Sequence, residues 1–206
     1  MKNILIVIIS LGLFGCASQP SRIGSDTLAG LQSHQGVLLL SYARSDPKER
    51  FTTESIYFRQ IGMRKIYEIG INTLPLVPLK FDFSEDGSHG SLAVFRLPAG
   101  KYEIFDYAMT QDVFGGSIIH TPSARFSIPF EISTNSVSYL GELRIERIKS
   151  ARFLGLSNAD KVRFDLRNEE SRDVELFRKL YPASRLAIVN CMPADELSIP
   201  FIRIEK

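Results

Sequence analysis

The side chains able to do chemistry are few and scattered. Two cysteines, three histidines and 23 carboxylates are spread over 206 residues. His34, His89 and His120 stand alone; no His-x-His, His-Glu-x-x-His or Cys-x-x-Cys is present, so a zinc site would have to be assembled from separate loops. Each histidine reads more simply as a surface residue. The stretch Asp82-Phe83-Ser84-Glu85-Asp86-Gly87 offers oxygens from Asp82, Ser84 and Asp86 at the first, third and fifth positions of a calcium loop, with glycine at the sixth. The twelfth position, where a bidentate Glu closes such a loop, is Ala93. A charged β-turn with Gly87 at positive φ accounts for the same residues, and no dedicated metal site is expected. Cys191 follows the apolar run Leu186–Val189 and reads as a core thiol rather than a nucleophile. No Gly-x-Ser-x-Gly elbow, Ser-x-x-Lys pair, phosphate-binding glycine loop or dinucleotide fingerprint occurs, and no pair of carboxylates is marked out by placement. The expectation is a chain without a catalytic constellation and without a bound cofactor.

Cys16 is different. Lys2 is the only charge before Arg22, and an apolar run of about 11 residues, Ile4 to Phe14, follows it. As a helix that run would span ~16 Å, about half of a ~30 Å hydrocarbon core, which is short for a membrane span and right for a secretory signal. It ends in Leu13-Phe14-Gly15-Cys16, an order that resembles the bacterial lipobox. That reading puts cleavage after Gly15 and a diacylglyceryl thioether on Cys16, with acylation of the new amine. Acyl chains at ~0.8 kcal/mol per buried methylene hold a protein to a bilayer for good. Ala17 stands where an Asp would retain a lipoprotein at the inner membrane of an enteric bacterium, so the expected location is exported and anchored at the outer membrane. A cleavable signal that happens to contain Cys, or a buried N-terminal helix, is the other reading of these residues. With Cys16 lipidated, Cys191 is the sole remaining thiol and no intramolecular disulfide is available.

The chain as a whole has the make-up of a folded protein: 44% apolar, 10% aromatic and 23% charged, with a formal net charge of +2. Disordered, collagenous and disulfide-stapled classes are excluded by those figures, and so even a charge balance gives no reason to expect a nucleic-acid partner. The expected organisation is a signal peptide over 1–15, a lipidated Cys and flexible Ser/Gln/Gly/Thr-rich tether over 16–35, and a single β-sandwich domain over 36–206. Leu28 and Leu31 are the tether residues able to dock on that domain.

Period-two alternation carries the β assignment. Phe126, Ile128, Phe130 and Ile132 alternate with Ser127, Pro129 and Glu131; Val162, Phe164 and Leu166 alternate with Lys161, Arg163, Asp165 and Arg167. Val137, Tyr139, Leu143 and Ile145 likewise read as one face of a strand. Pro129 cannot donate to a ladder, which places its strand at an edge or a bulge. Further strands are expected at 37–42, 55–61, 65–71, 79–83, 91–97 and 102–108, with terminal ones at 186–189 and 197–204. Leu97-Pro98-Ala99-Gly100 reads as a three-residue hairpin loop. One helix is expected near 169–180: Glu169, Glu170 and Asp173 at its start and Arg178 and Lys179 at its end suit the macrodipole, Pro182 stops it, and Val174, Phe177 and Leu180 form its inward face.

Leu92 through Tyr102, a strand followed by Leu-Pro-Ala-Gly-x-Tyr and a return strand, resembles transthyretin-like or carboxypeptidase-regulatory-like β-sandwich modules. Phe126-Ser127-Ile128 and Val137 to Leu143 are similar to the closing strands of poorly characterised bacterial lipoproteins of that shape. The resemblance spans about Gly36 to Ile145, implies an antiparallel β-sandwich and carries no catalytic residues. The helix after Asn168 departs from a plain sandwich of that type, so the expected fold is a mainly β, antiparallel sandwich with one C-terminal helix packed on it. Two stretches remain for binding. Met109–Ala124, with Val113, Phe114, Ile118 and Ile119, is either a long connection that meets an envelope protein or a further strand near 117–120 behind a Gly115-Gly116 turn. Arg144, Arg147, Lys149 and Arg152 form either a lipid- or peptidoglycan-facing basic patch or a solvated strand face. The expected function is a non-enzymatic binding or structural lipoprotein of the cell envelope, with the membrane as partner. The alternatives are an envelope hydrolase or carbohydrate-active enzyme assembled only in the fold, and an accessory subunit of a secretion or envelope complex.

Overall fold

A computed structural model describes residues 23–24, 28, 30–45, 51–72, 80–85, 87–113, 116–148, 152–153, 156–157, 161–193, 197 and 199–205. The signal and Cys16, Asp86 and Phe114 lie outside them. In chain order the elements are β1 (Gln35–Arg44), β2 (Thr53–Gln60), β3 (Ile66–Asn72), β4 (Phe83–Glu85), β5 (Ser88–Pro98), β6 (Gly100–Val113) and β7 (Gly116–His120). Then follow β8 (Ile128–Ile132), β9 (Ser136–Ile148), β10 (Arg152–Phe153), β11 (Leu156–Ser157), β12 (Lys161–Arg167), α1 (Glu170–Leu180), β13 (Ala187–Asn190) and β14 (Ile202–Glu205). The protein is mainly β: among the described residues two packed sheets carry the helix α1, and β10 and β11 pair as a separate two-stranded ribbon.

The first sheet runs β14-β12-β9-β1-β5-β4, with β13 also paired to β9; the second runs β3-β2-β6-β7, with β8 also paired to β6. Each sheet is built on one long strand whose far edge is shared end to end by two short ones. On β9 these are β13 and β12, on β6 they are β8 and β7. Every pair in the second sheet is antiparallel, whereas the first is mixed, because β1 and β13 both run parallel to β9 and β14 runs parallel to β12. Pro129 sits on β8, which pairs only with β6 and is an edge strand, as its missing N–H requires.

Leu38, Leu40, Tyr42, Phe58, Tyr102, Phe130, Leu143, Phe164 and their neighbours fill the space between the sheets. A second apolar cluster lies on the outer face of the first sheet, where Phe177 and Tyr181 cover Val37, Leu39, Leu92, Val94, Val137 and Tyr139. The central strand β1 is therefore buried on both faces, and its run Val37-Leu38-Leu39-Leu40 is continuously apolar rather than alternating. Ile23, Leu28 and Leu31 join this second cluster, so Leu28 and Leu31 of the expected tether dock on the domain, with Ile23 beside them.

Three expectations change with the coordinates. The turn after Leu97 is not a hairpin: β5 belongs to the first sheet and β6 to the second. The chain crosses between layers there, and the Tyr102 hydroxyl donates back to the Pro98 carbonyl at 2.8 Å, a corner rather than a loop between paired strands. Val137 and Tyr139 do not share a face with Leu143 and Ile145. A bulge at Leu140-Gly141, with Gly141 at φ 105°, inverts β9, so the first two face the helix and the last two face the inter-sheet core. Finally, the inward face of α1 carries Asp173 and Phe177, while Leu180 is exposed. The helix is rotated from the apolar stripe because an acid is drawn inward by partners on the sheet.

Candidate functional site

Those partners form a connected, buried polar cluster. Asp173 accepts from the Ser41 hydroxyl at 2.6 Å, from the Tyr139 hydroxyl at 3.0 Å and from Arg172 at 2.7 and 2.9 Å. Arg172 reaches across to Glu142 at 2.8 Å and lies 3.7 Å over the Phe83 ring. Glu142 is held in turn by Arg144 at 2.8 Å. The bulge at Gly141 is what turns Glu142 toward the helix beside Ser41, its register partner on β1. Burial pushes the Asp173 carboxyl above its ordinary value, against the lowering effect of Ser41, Arg172 and Tyr139; burial and then Asp173 push the Tyr139 hydroxyl up.

The same pattern recurs at two other places. Glu54, buried between the sheets, accepts from Tyr42 at 2.6 Å and from Arg44 at 2.8 Å, and burial raises its carboxyl. Asp165, on the outer face of β12, is held by Arg203 at 2.9 Å with Arg163 and Arg167 beside it. The four buried acids among the described residues, Glu54, Glu142, Asp165 and Asp173, thus each face an arginine. Groups poised this way hold elements together: Ser41 and Tyr139 tie the sheet to the helix, and Tyr42 with Arg44 ties the first sheet to β2.

The residues singled out in the sequence are placed as follows. Asp82 accepts from the Leu92 N–H at 2.8 Å, and Ser84 bonds the His89 ring across the β4–β5 hairpin, where Glu85 pairs with Ser88. Gly87 has φ 72°. Asp86, the third oxygen of the supposed calcium loop, is outside the described residues. Between Met109 and Ala124 the chain forms the further strand, β7, paired to β6 down to Val113 and Gly116. Ile118 is half-buried and Ile119 is exposed. The basic stretch does not share one face. Arg144 pairs with Glu142 on the helix side, while Arg147 lies over the Phe51 ring on the other. Cys191 packs against the inter-sheet core, and burial raises its thiol to about 12.

One surface feature was not singled out in advance. On the outer face of the second sheet, Arg59, Phe105, Asp106 and the segment Pro122–Phe126 line an open cleft of about 630 Å³. A second bulge builds it. Phe105 is the extra residue between the pairs Tyr57–Asp106 and Phe58–Ile104, so Phe105 and Asp106 follow one another on the same side of β6. Arg59 stacks 4.2 Å over the Phe105 ring and is steadied by Glu103 at 2.8 Å, which also accepts from Ser127 at 2.7 Å. A guanidinium on an aromatic face, a carboxylate opposite and Arg125 on the rim suit a ligand with both flat and hydrogen-bonding surfaces. The signal in the sequence is a phase slip, since inward residues fall at Tyr102 and Ile104 and then at Tyr107 and Met109.

No family model matches the chain, and none of the curated proteins is significantly similar to it. Among solved structures, a leucine-rich repeat protein from Bacteroides thetaiotaomicron is similar over 54% of this chain at 13% identity, with a TM-score of 0.32. The chain spans 14% of that protein's length, and a likeness at this level carries no argument about fold or function.

Proposed function

We propose that this chain is an exported lipoprotein, anchored to a bacterial membrane through a lipid on Cys16 and, from Ala17, sorted to the outer membrane. Its body acts there as a non-enzymatic binding module of the transthyretin-like kind, with the cleft around Arg59 and Phe105 as its ligand face. The observation that carries the non-enzymatic reading is the pairing of each buried acid with arginine. The carboxylates with raised affinity for protons, Glu54 and Asp173, lie inside the layers and away from the cleft, whose lining holds one carboxylate, Asp106. Glycoside hydrolysis uses two carboxyl groups facing a bound substrate; here Asp106 lines the cleft, while the neighbouring Glu103 is committed to Arg59 and Ser127.

Incorporation of labelled palmitate tests the anchor. The full chain takes up label and the Cys16→Ser variant does not; label persisting in that variant would refute the assignment. Binding of envelope glycans or peptides that weakens on Arg59→Ala tests the cleft. Turnover of such a ligand, abolished by Asp106→Asn, would move the protein to the enzyme class.

A further inference from the structure

The hairpin between β2 and β3 has a composition unlike the rest of the surface. Ile61, Met63 and Ile66 are 51%, 59% and 55% exposed, and Arg64 and Lys65 beside them are exposed as well. From Gln60 to Tyr67 there is no acid. Gly62 turns the chain at φ 82°, and the Ile61 N–H is fixed to the Lys101 carbonyl at 2.9 Å, so the tip is held to the body by β6. Exposed Lys101 extends the positive charge at this end. Three large apolar side chains interleaved with cations and free of carboxylates are what the boundary between headgroups and acyl chains accepts, and an anionic surface adds attraction for each cation.

Position agrees with composition. The Gln60 side chain reaches the Ala99 carbonyl, and the Ala99 N–H bonds the His34 carbonyl at the start of β1, so the tip, the Pro98 corner and the beginning of β1 share one end of the sandwich. Upstream, the Ile23 N–H bonds the Val94 carbonyl on β5. Val94 is ~13 Å of strand from Pro98 and ~20 Å from Ser88 at the other end. Seven residue steps from Cys16 to Ile23 reach at most ~25 Å. The lipid is therefore confined near the body, and the nearer end is the one that bears the apolar, basic tip.

We infer that Ile61, Met63 and Ile66, with Arg64 and Lys65, form a second membrane contact that inserts into an anionic lipid surface and fixes the orientation of the body on it. This rests on the anchor at Cys16. The test uses the acylated full chain in a Cys191→Ala background, reconstituted into vesicles of phosphatidylethanolamine and phosphatidylglycerol or of phosphatidylcholine alone. An environment-sensitive fluorophore is placed at Met63→Cys or, as the far-end control, at Ile119→Cys. Lipids carrying a spin label on the acyl chain quench the Met63 probe several-fold more than the Ile119 probe in the anionic vesicles. The difference shrinks in phosphatidylcholine and in the double variant Arg64→Glu/Lys65→Glu, which still floats with the vesicles. Equal quenching of the two probes on protein that floats overturns the tip contact alone. Protein that carries no acyl mass and does not float overturns the anchor, and the tip contact with it. A Met63 probe that shifts without lipid quenching while the protein doubles in mass assigns the tip to a second copy and also overturns the proposal.

Discussion

Replacing Asp173 by alanine tests whether the polar cluster under α1 holds the helix to the sheet. The substitution strips the acceptor from two buried hydroxyls, Ser41 at 2.6 Å and Tyr139 at 3.0 Å, while Arg172 keeps Glu142 at 2.8 Å. Each stranded hydroxyl costs about 1–2 kcal/mol, and the loss of desolvation at the carboxylate offsets part of the sum. The net expectation is about 2–3 kcal/mol, or a fall in Tm of about 4–12 °C for a domain of this size. Asp173→Asn is the informative partner. One carboxylate oxygen accepts from Ser41 and Tyr139 and the other from Arg172, so asparagine keeps an acceptor for one set of donors and sets its amide N–H groups against the other. It should fall between the parent and Asp173→Ala, about 1–2 kcal/mol below the parent. Urea melts of both variants, together with Ser41→Ala and the Ser41→Ala/Asp173→Ala double, give the coupling. Asp173→Ala within about 0.5 kcal/mol of the parent, or strict additivity in the cycle, would refute the idea that this cluster carries the packing of α1.

Three shorter predictions accompany it. Asp173 and Glu54 bind protons more readily folded than unfolded, so their contribution is full below the unfolded carboxylate range near pH ~4 and is lost as pH rises through the raised folded values. Urea midpoints measured from pH 4 to 7 against Glu54→Gln and Asp173→Asn show the variants gaining on the parent as pH increases, and a pH-independent gap contradicts the assignment. Gly141→Ala places a Cβ 2.8 Å from the Arg167 carbonyl at φ 105°, and should cost at least ~2 kcal/mol; a melt like the parent's shows that β9 does not need its bulge. Tyr102→Phe removes the hydroxyl that closes the Pro98 corner, for a loss of about 1–2 kcal/mol by the same melts, and no loss would reduce that corner to an ordinary turn.

How much of this was legible in the sequence depended on the range of the interaction. Alternation marks β8 and β12 because both keep one phase from end to end, and the charge order of 169–180 marks α1 because the macrodipole acts within one turn. Layer assignment was not legible in the same way. Leu97-Pro98-Ala99-Gly100 has the residues of a tight loop whichever sheet receives the next strand, and only the Tyr102 hydroxyl bonding back to Pro98 distinguishes the corner. Both bulges left a trace, a glycine inside β9 and a three-residue step between Ile104 and Tyr107, but a trace of phase does not say which face is inward. Asp173 was hidden for a further reason. A buried acid on a helix is intelligible only with Ser41 and Tyr139 opposite, more than thirty residues away in either case. The cleft was missed because Arg59 and Phe105 come from different strands and meet only through the bulge in β6.

If the proposed anchor at Cys16 holds, the helix also bears on how the body sits at a membrane. The Tyr181 hydroxyl donates to the Ile23 carbonyl at 2.8 Å, Ile23 bonds Val94, and Leu28 is buried in the cluster beneath α1. While these contacts stand, Ile23 is a fixed point at most ~25 Å of chain from Cys16; without them the fixed point is Gln35 and the limit grows to ~65 Å. Orientation by the β2–β3 tip depends on the shorter tether, since a long one lets the body turn away from the surface. Tyr181→Phe, which removes only the hydroxyl bonded to Ile23, should therefore loosen Ile23 without unfolding the sandwich. Trypsin reads this directly at the Arg22–Ile23 bond, because nicking concentrates where backbone is exposed and free to move and the docked Ile23 is neither. A several-fold faster cut at Arg22 in the acylated variant, with the urea midpoint of the sheets little changed, is the expected result. An unchanged rate would show that α1 covers the outer face of the sheet but does not grip the chain that leads to the lipid.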